Sequence, residues 1–125
     1  MAQKILIVED NSDFSQLLAF YLSNAGYEIS RARNSAEGLN KALVERPDLI
    51  IIDLYLPDMT AVDATVMLKQ DPATSDIPIV VLTAVTVEEW KTKALKAGAA
   101  KYLIKPISRP DLTEAVYILL PPPSS

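Results

Sequence analysis

"LIIIDLYLPD" (49–58) runs aliphatic residues straight into a carboxylate, Asp53, with a proline four positions later. A continuous apolar run, rather than an alternating one, is the pattern of a strand covered on both faces. An unpaired carboxylate inside such a strand is costly, so Asp53 must reach solvent or have a partner. Pro57 carries no N–H and cannot extend a strand, so the chain leaves the sheet soon after Asp53. The acid therefore stands at the strand's carboxyl end.

The flanking sequence repeats this texture. "KILIV" (4–8) and "IVVLT" (79–83) are aliphatic runs of strand length, and "YEISRA" (27–32) and "KYLI" (101–104) read as two further strands. Between the first two, Phe14, Leu17, Leu18, Tyr21, Leu22 and Ala25 recur on one helical face, with Asn11 or Ser12 as cap and Gly26 at the C-terminus. Ser35 caps a second helix whose inner face is Ala36, Leu39, Leu43 and Val44, stopped before Pro47. A short helix covers 62–69, "DPATSDIP" (71–78) is loop chemistry, a fourth helix spans 87–97 before Gly98, and a last one 110–120. Strict alternation of strand and helix with short links implies parallel strands, right-handed crossovers and helices on both faces. A chain of 125 residues is one domain's worth; residues 1–120 form it, and "PPPSS" (121–125) reads as an extended, disordered tail.

Composition narrows the chemistry. Twelve Lys and Arg against sixteen Asp and Glu give a net charge of −4, so no broad basic surface points to nucleic acid or anionic lipid. No run reaches the ~18 apolar residues of a membrane span, and "MAQKILIVED" is too short and acidic for a signal peptide, so a cytoplasmic location is expected. Cys and His are both absent, which removes disulfides, thiolate and imidazole ligands, and His-based triads. What remains is carboxylate, hydroxyl, lysine and hard-cation chemistry.

Each of four strands ends on such a residue: Glu9-Asp10, Asp53, Thr83 and Lys105-Pro106. Ligands of open α/β sheets bind outside the carboxyl ends of the strands, so these residues converge on one rim. Packed acids repel unless a cation joins them, and an all-oxygen cluster suits Mg²⁺ (or Mn²⁺). With Lys105 to attract an anion and Thr83 to donate to it, the set suits phosphoryl transfer with a carboxylate nucleophile.

With "ILIVEDN" (5–11), "PDLIIIDLYLPDM" (47–59), "IPIVVLTA" (77–84) and "AGAAKYLIKPI" (97–107) in order, the sequence resembles the receiver domain of two-component response regulators over nearly its whole length. The resemblance implies a CheY-like (flavodoxin-like) fold, a five-stranded parallel sheet in the order 2-1-3-4-5 doubly wound with five helices. It implies that Asp53 is the phosphoacceptor, taking its phosphoryl group from a histidine kinase or phosphotransfer protein and passing the signal to a downstream protein target. Glu9 and Asp10 then match the acidic pair that holds Mg²⁺ with Asp53, and the backbone carbonyl of Tyr55 matches the main-chain ligand. Thr83 and Lys105 match the pair that closes on the phosphoryl group, Tyr102 the aromatic switch, and Pro106 the cis-prolyl residue. Such a domain is a phosphoacceptor with slow self-catalysed transfer at most, not a turnover enzyme, and touches neither nucleic acid nor membrane itself.

Some positions depart from the family pattern. Ala61 stands where Gly is usual, which implies a different turn or modest strain. Tyr55 and Val85 flank the approach of hydrolytic water and offer no carboxylate or amide to orient it, which implies a long-lived acyl phosphate. The stretches "AGAAKY" and "RPDLTEAVYILL" lack the Asp and Arg sets through which many DNA-binding relatives dimerise. The last helix is apolar over more than one core stripe, which fits a docking surface or a helix cut short equally; Trp90, among charged neighbours, fits a partner site or a half-exposed cover over the core edge. Two other classes compete. Haloacid-dehalogenase-like phosphatases also use an Asp nucleophile but need a second acid two residues on, where this chain has Tyr55. A receiver-shaped interaction module that works without phosphate is the other alternative. A Rossmann or flavin binder is disfavoured, since Gly26, Gly38 and Gly98 form no phosphate-cradling loop.

Overall fold

The computed structural model describes residues 2–121; most of the tail expected at 121–125 lies outside them. Strands and helices alternate as β1 (Lys4–Val8), α1 (Ser12–Asn24), β2 (Glu28–Ala32), α2 (Ser35–Glu45), β3 (Leu49–Ile52), α3 (Ala61–Gln70), β4 (Ile79–Thr83), α4 (Glu88–Ala97), β5 (Lys101–Ile104) and α5 (Arg109–Leu119). All strand pairs are parallel and the order is β2-β1-β3-β4-β5. This is the CheY-like flavodoxin fold. The order reverses between β1 and β3, so the crevice at their carboxyl ends is the expected place for a ligand.

Two apolar layers enclose the sheet. On one face Ile5, Ile7, Leu49, Ile51, Val80 and Leu82 meet Leu18 and Leu22 of α1 and Leu112 and Val116 of α5. On the other, Leu6, Val8, Ile50, Ile52, Ile79 and Val81 meet α2, α3 and α4. Successive residues of β1, β3 and β4 thus point into opposite layers, which is why these strands are aliphatic throughout.

Local signals set most boundaries. The Asn11 side chain accepts from the Phe14 N–H at 2.9 Å and caps α1, and Gly26 takes the left-handed turn after it at φ +102°. The second helix departs from expectation. Its cap is Asn34, whose side chain accepts from the Glu37 N–H, while Ser35 is its first helical residue. Of the expected inner face only Leu39 packs against the core; Ser35, Gly38 and Ala42 are buried there in place of Ala36, Leu43 and Val44, and Leu43 is 45% and Val44 75% exposed. The reason is close approach. A Cβ on Gly38 would lie 2.8 Å from a Val8 methyl, so only small residues fit beneath this helix and the larger aliphatics are displaced to its flanks.

Ala61 also departs from expectation. Helix α3 starts one residue earlier than the sequence suggests, with Thr60 as its cap, so Ala61 is an ordinary first helical residue, fully buried. Its N–H donates to the Leu54 carbonyl at 2.8 Å. Among the described residues the only non-glycine with positive φ is Arg46, so no left-handed turn or strain is placed on Ala61. No described helix is long and apolar enough to cross a membrane.

Candidate functional site

The sheet ladder itself delivers the site residues. Each follows the last residue of its strand, yet its N–H still bonds across to the neighbouring strand: Glu9 to Ala32 O at 3.0 Å, Asp53 to Val8 O at 3.1 Å, and Lys105 to Thr83 O at 2.9 Å. Side chains that emerge from such a ladder are fixed at the root.

Glu9, Asp10 and Asp53 offer carboxylate oxygens that lie within 4.8 Å of one another. The Lys105 ammonium enters the cluster, donating to Glu9 Oε1 at 2.6 Å and Asp53 Oδ2 at 3.1 Å. It also lies 4.3 Å from the centroid of the Phe14 ring, whose face attracts a cation. The other Glu9 oxygen accepts from the Asn11 N–H at 3.1 Å. Burial lifts Glu9 above the usual carboxylate range, more than its bond from Lys105 can offset. Burial alone would lower Lys105, but its hydrogen bonds to Glu9 and Asp53 outweigh this and hold its value up. Two of the three carboxylates thus share one ammonium, and a second positive charge is favoured among them. The exposed Asp10 and the uncommitted oxygen of Asp53 are hard donors of the kind Mg²⁺ takes, so the residues present fit that ion.

Thr83 is buried at the end of β4 and its hydroxyl oxygen accepts from the Val85 N–H at 3.3 Å. Tyr102, on edge strand β5, is buried rather than half-open, and its hydroxyl donates to the Val85 carbonyl at 2.8 Å. Burial raises the Tyr102 phenol, with smaller contributions from nearby Tyr55 and Asp53. The Lys105–Pro106 peptide is cis. Tyr55 is half exposed, and its backbone bridges to Thr60 across the loop that leaves Asp53.

Contacts that sequence reading missed complete the site. Phe14 reads as a core residue of α1 yet also underlies Lys105. Asp58, midway along the loop between β3 and α3, accepts from the N–H groups of Ser35 at 2.9 Å and Ala36 at 2.8 Å, tying that loop to the start of α2. The Ser35 hydroxyl answers by donating to Met59 O at 3.2 Å. Trp90 packs edge-on against Tyr55, ring centroids 5.6 Å apart. Tyr55 and Trp90 stood out in the sequence, but no local pattern paired them or named the partners of Phe14 and Asp58.

A carboxylate held against an ammonium, in an acidic cation-ready crevice at the reversal point of a doubly wound sheet, defines a phosphoacceptor domain. The particular family follows from comparison: the response regulator receiver domain family matches residues 5–117, and this chain belongs to it. It is 34% identical over 93% of its length to the polar-differentiation response regulator DivK of Brucella anthropi, covering 94% of that protein. It is 35% identical over 96% of its length to the phosphate regulon transcriptional regulatory protein PhoB of Pseudomonas aeruginosa, but spans only 52% of it. Chemotaxis response regulator CheY4 of Vibrio cholerae superposes with a TM-score of 0.90 at 31% identity, over 96% of this chain and 100% of that one. Receiver domains accept phosphoryl groups from histidine kinases or phosphotransfer proteins and typically hold Mg²⁺ in an acidic pocket.

Proposed function

We propose that Asp53 is the residue that takes the phosphoryl group and that residues 1–120 act as a cytoplasmic, non-turnover switch. The observation that carries this is the Lys105 ammonium bridging Asp53 and Glu9, since it places a cation at the nucleophile. A carboxylate oxygen of Asp53 attacks the phosphorus of a phosphohistidine; the P–O bond forms as the P–N bond breaks, and the departing imidazole takes a proton. Asp10, Asp53 and the Tyr55 carbonyl would hold Mg²⁺, with Glu9 contributing charge from behind, because both Glu9 oxygens are already engaged. When bound, that ion neutralises the charge that gathers on the transferring oxygens.

The chain's own groups then do the switching. Lys105 exchanges one carboxylate for a phosphoryl oxygen, and Thr83 gives up the Val85 N–H to donate to another. Since Tyr102 is held by the carbonyl of the same Val85, movement of Thr83 disturbs the β5 edge, where the downstream protein reads it.

Incubation with Mg²⁺ and a small acyl or amido phosphate donor, followed by intact mass measurement, tests this. One phosphate adduct, lost in Asp53→Asn, supports it; continuous donor hydrolysis indicates a phosphatase; no adduct under any condition leaves the phosphate-independent interaction module as the reading.

A further inference from the structure

A second crevice opens at the carboxyl end of β1, on its β2 side and so away from β3 and β5. It lies between the first turns of α1 and α2 and encloses about 260 Å³. Glu9 is the wall that it shares with the carboxylate cluster.

Two guanidinium groups line this crevice, those of Arg31 and Arg33. Arg31 is tethered: its Nε donates to the hydroxyl of the buried Ser15 at 2.9 Å, and its Nη2 to the Ser12 carbonyl at 3.3 Å. Its remaining N–H groups have no described acceptor. The Arg33 side chain has no described hydrogen bond, and among the described residues no acid forms an ion pair with either arginine.

The acids of the crevice wall are engaged elsewhere. One oxygen of Glu9 takes the Lys105 ammonium and the other the Asn11 N–H, while Glu37 lies 3.9 Å from Lys41. In a chain of net charge −4, two arginines thus border one cavity with no carboxylate answering them. The planar fork of a guanidinium matches the oxygens of a phosphate, and two forks suit a doubly charged group better than a single carboxylate. The volume falls just short of the ~300–1,000 Å³ typical of sites for drug-sized ligands, so it suits a small monoester and not a nucleotide.

We propose that this crevice is a binding site for a small phosphate, held by Arg31 and Arg33 across β1 from Asp53. The ligand is a phosphate monoester or free orthophosphate, which share the chemistry that the arginines recognise. The site does not depend on Asp53 being a phosphoacceptor.

Amide chemical shifts of the intact chain test this, with orthophosphate and glycerol phosphate as probes and neither Mg²⁺ nor phosphodonor present. Saturable shifts are expected at Ser12, Arg31 and Arg33, with little change at Thr83 and Lys105. Arg33→Ala should weaken binding about tenfold, the usual effect of losing a charge-assisted hydrogen bond, and leave the urea midpoint unchanged. Arg31→Lys keeps the charge but not the fork and should weaken binding as well, an effect that a merely electropositive surface would not show. Tighter binding of glycerol phosphate supports the site and makes the ester its ligand; equal binding supports it with the free ion as ligand. Shifts that never saturate, that centre on Thr83 and Lys105, or that persist undiminished in Arg33→Ala overturn the proposal and indicate an adventitious ion only.

Discussion

The two faces of the sheet are covered in different ways. On one, α1 and α5 insert large side chains: Leu18, Leu22, Leu112 and Val116 are essentially inaccessible. On the other, α2 and α4 rest on small residues: Ser35, Gly38 and Ala42 beneath α2 and Ala94 beneath α4. Only α3, with Leu68 beside Ala61 and Ala64, buries a large one completely there; Leu39 of α2 and Trp90 of α4 pack against the layer partly buried. Small residues let a helix lie close but bury little apolar area each, so per residue they contribute less. Leu43 and Val44 of α2 and Leu95 of α4 face solvent. The first face is packed on large side chains and the second mostly on small ones, and α4 buries the fewest residues of the five helices. A domain that must change one surface while keeping its site intact gains from that asymmetry.

The largest expected effect contrasts the two faces directly. Leu22→Ala on α1 should cost about 3 kcal/mol, the usual loss for emptying a fully buried leucine site. Leu95→Ala on α4, 42% exposed, should change stability by under about 0.5 kcal/mol. Urea unfolding of both variants measures the contrast; equal losses would break it.

Next comes the clamp at the rim. Lys105→Met leaves the buried Glu9 facing Asp53 with no ammonium between them, and should cost about 2 kcal/mol at neutral pH. That is below the figure for a fully buried pair, because the lysine side chain is 19% exposed. The sign with pH follows from its raised value. The ammonium's stabilisation is complete below 10.5 and is lost as pH rises through the higher folded value, so wild type and variant should converge in alkali. A gap in urea midpoint that stays constant to high pH would show that the charge is not its source.

A smaller effect tests the close approach itself. Gly38→Ala improves helix propensity by up to about 1 kcal/mol. It also drives a methyl to 2.8 Å from Val8, and overpacking of this kind costs ~1–3 kcal/mol, so the net should be a loss of about 1 kcal/mol. Paired with Val8→Ala, which vacates the contact, the two should cost less than their sum. Strict additivity would mean that α2 moves off the sheet instead.

These contacts also show which parts of the structure the sequence could reveal. Strands β1, β3 and β4 were plain because burial on both faces demands unbroken aliphatics, and their polar ends marked Glu9, Asp10, Asp53 and Thr83, as the end of β5 marked Lys105. The inner face of α2 was misread because periodicity follows large residues, whereas the sheet contact is made by Ser35, Gly38 and Ala42. Ala61 was misread because a glycine preference was taken for a need, where the backbone there is simply helical. The Tyr55–Trp90 contact joins residues 35 apart in sequence, and no local pattern encodes it.

Asp58 gives the smallest effect and the subtlest, since it ties the loop that leaves Asp53 to the first turn of α2. Its carboxylate is held below the usual range, first by the Ala36 N–H and then by that of Ser35. Both donors belong to the first turn of α2, where a negative charge is also favoured by the helix dipole. A lowered folded value means the contribution is present above the ordinary 3.8 and is lost as pH falls below it through the folded value. Asp58→Asn keeps one acceptor oxygen but neither the charge nor the second acceptor, so it should be less stable than wild type near neutrality and indistinguishable from it in strong acid. Amide exchange at Ser35 and Ala36 should quicken in the variant while exchange in α1 does not. Uniform quickening in both helices would mean that Asp58 supports the fold as a whole and not the link between α2 and the loop that leaves Asp53.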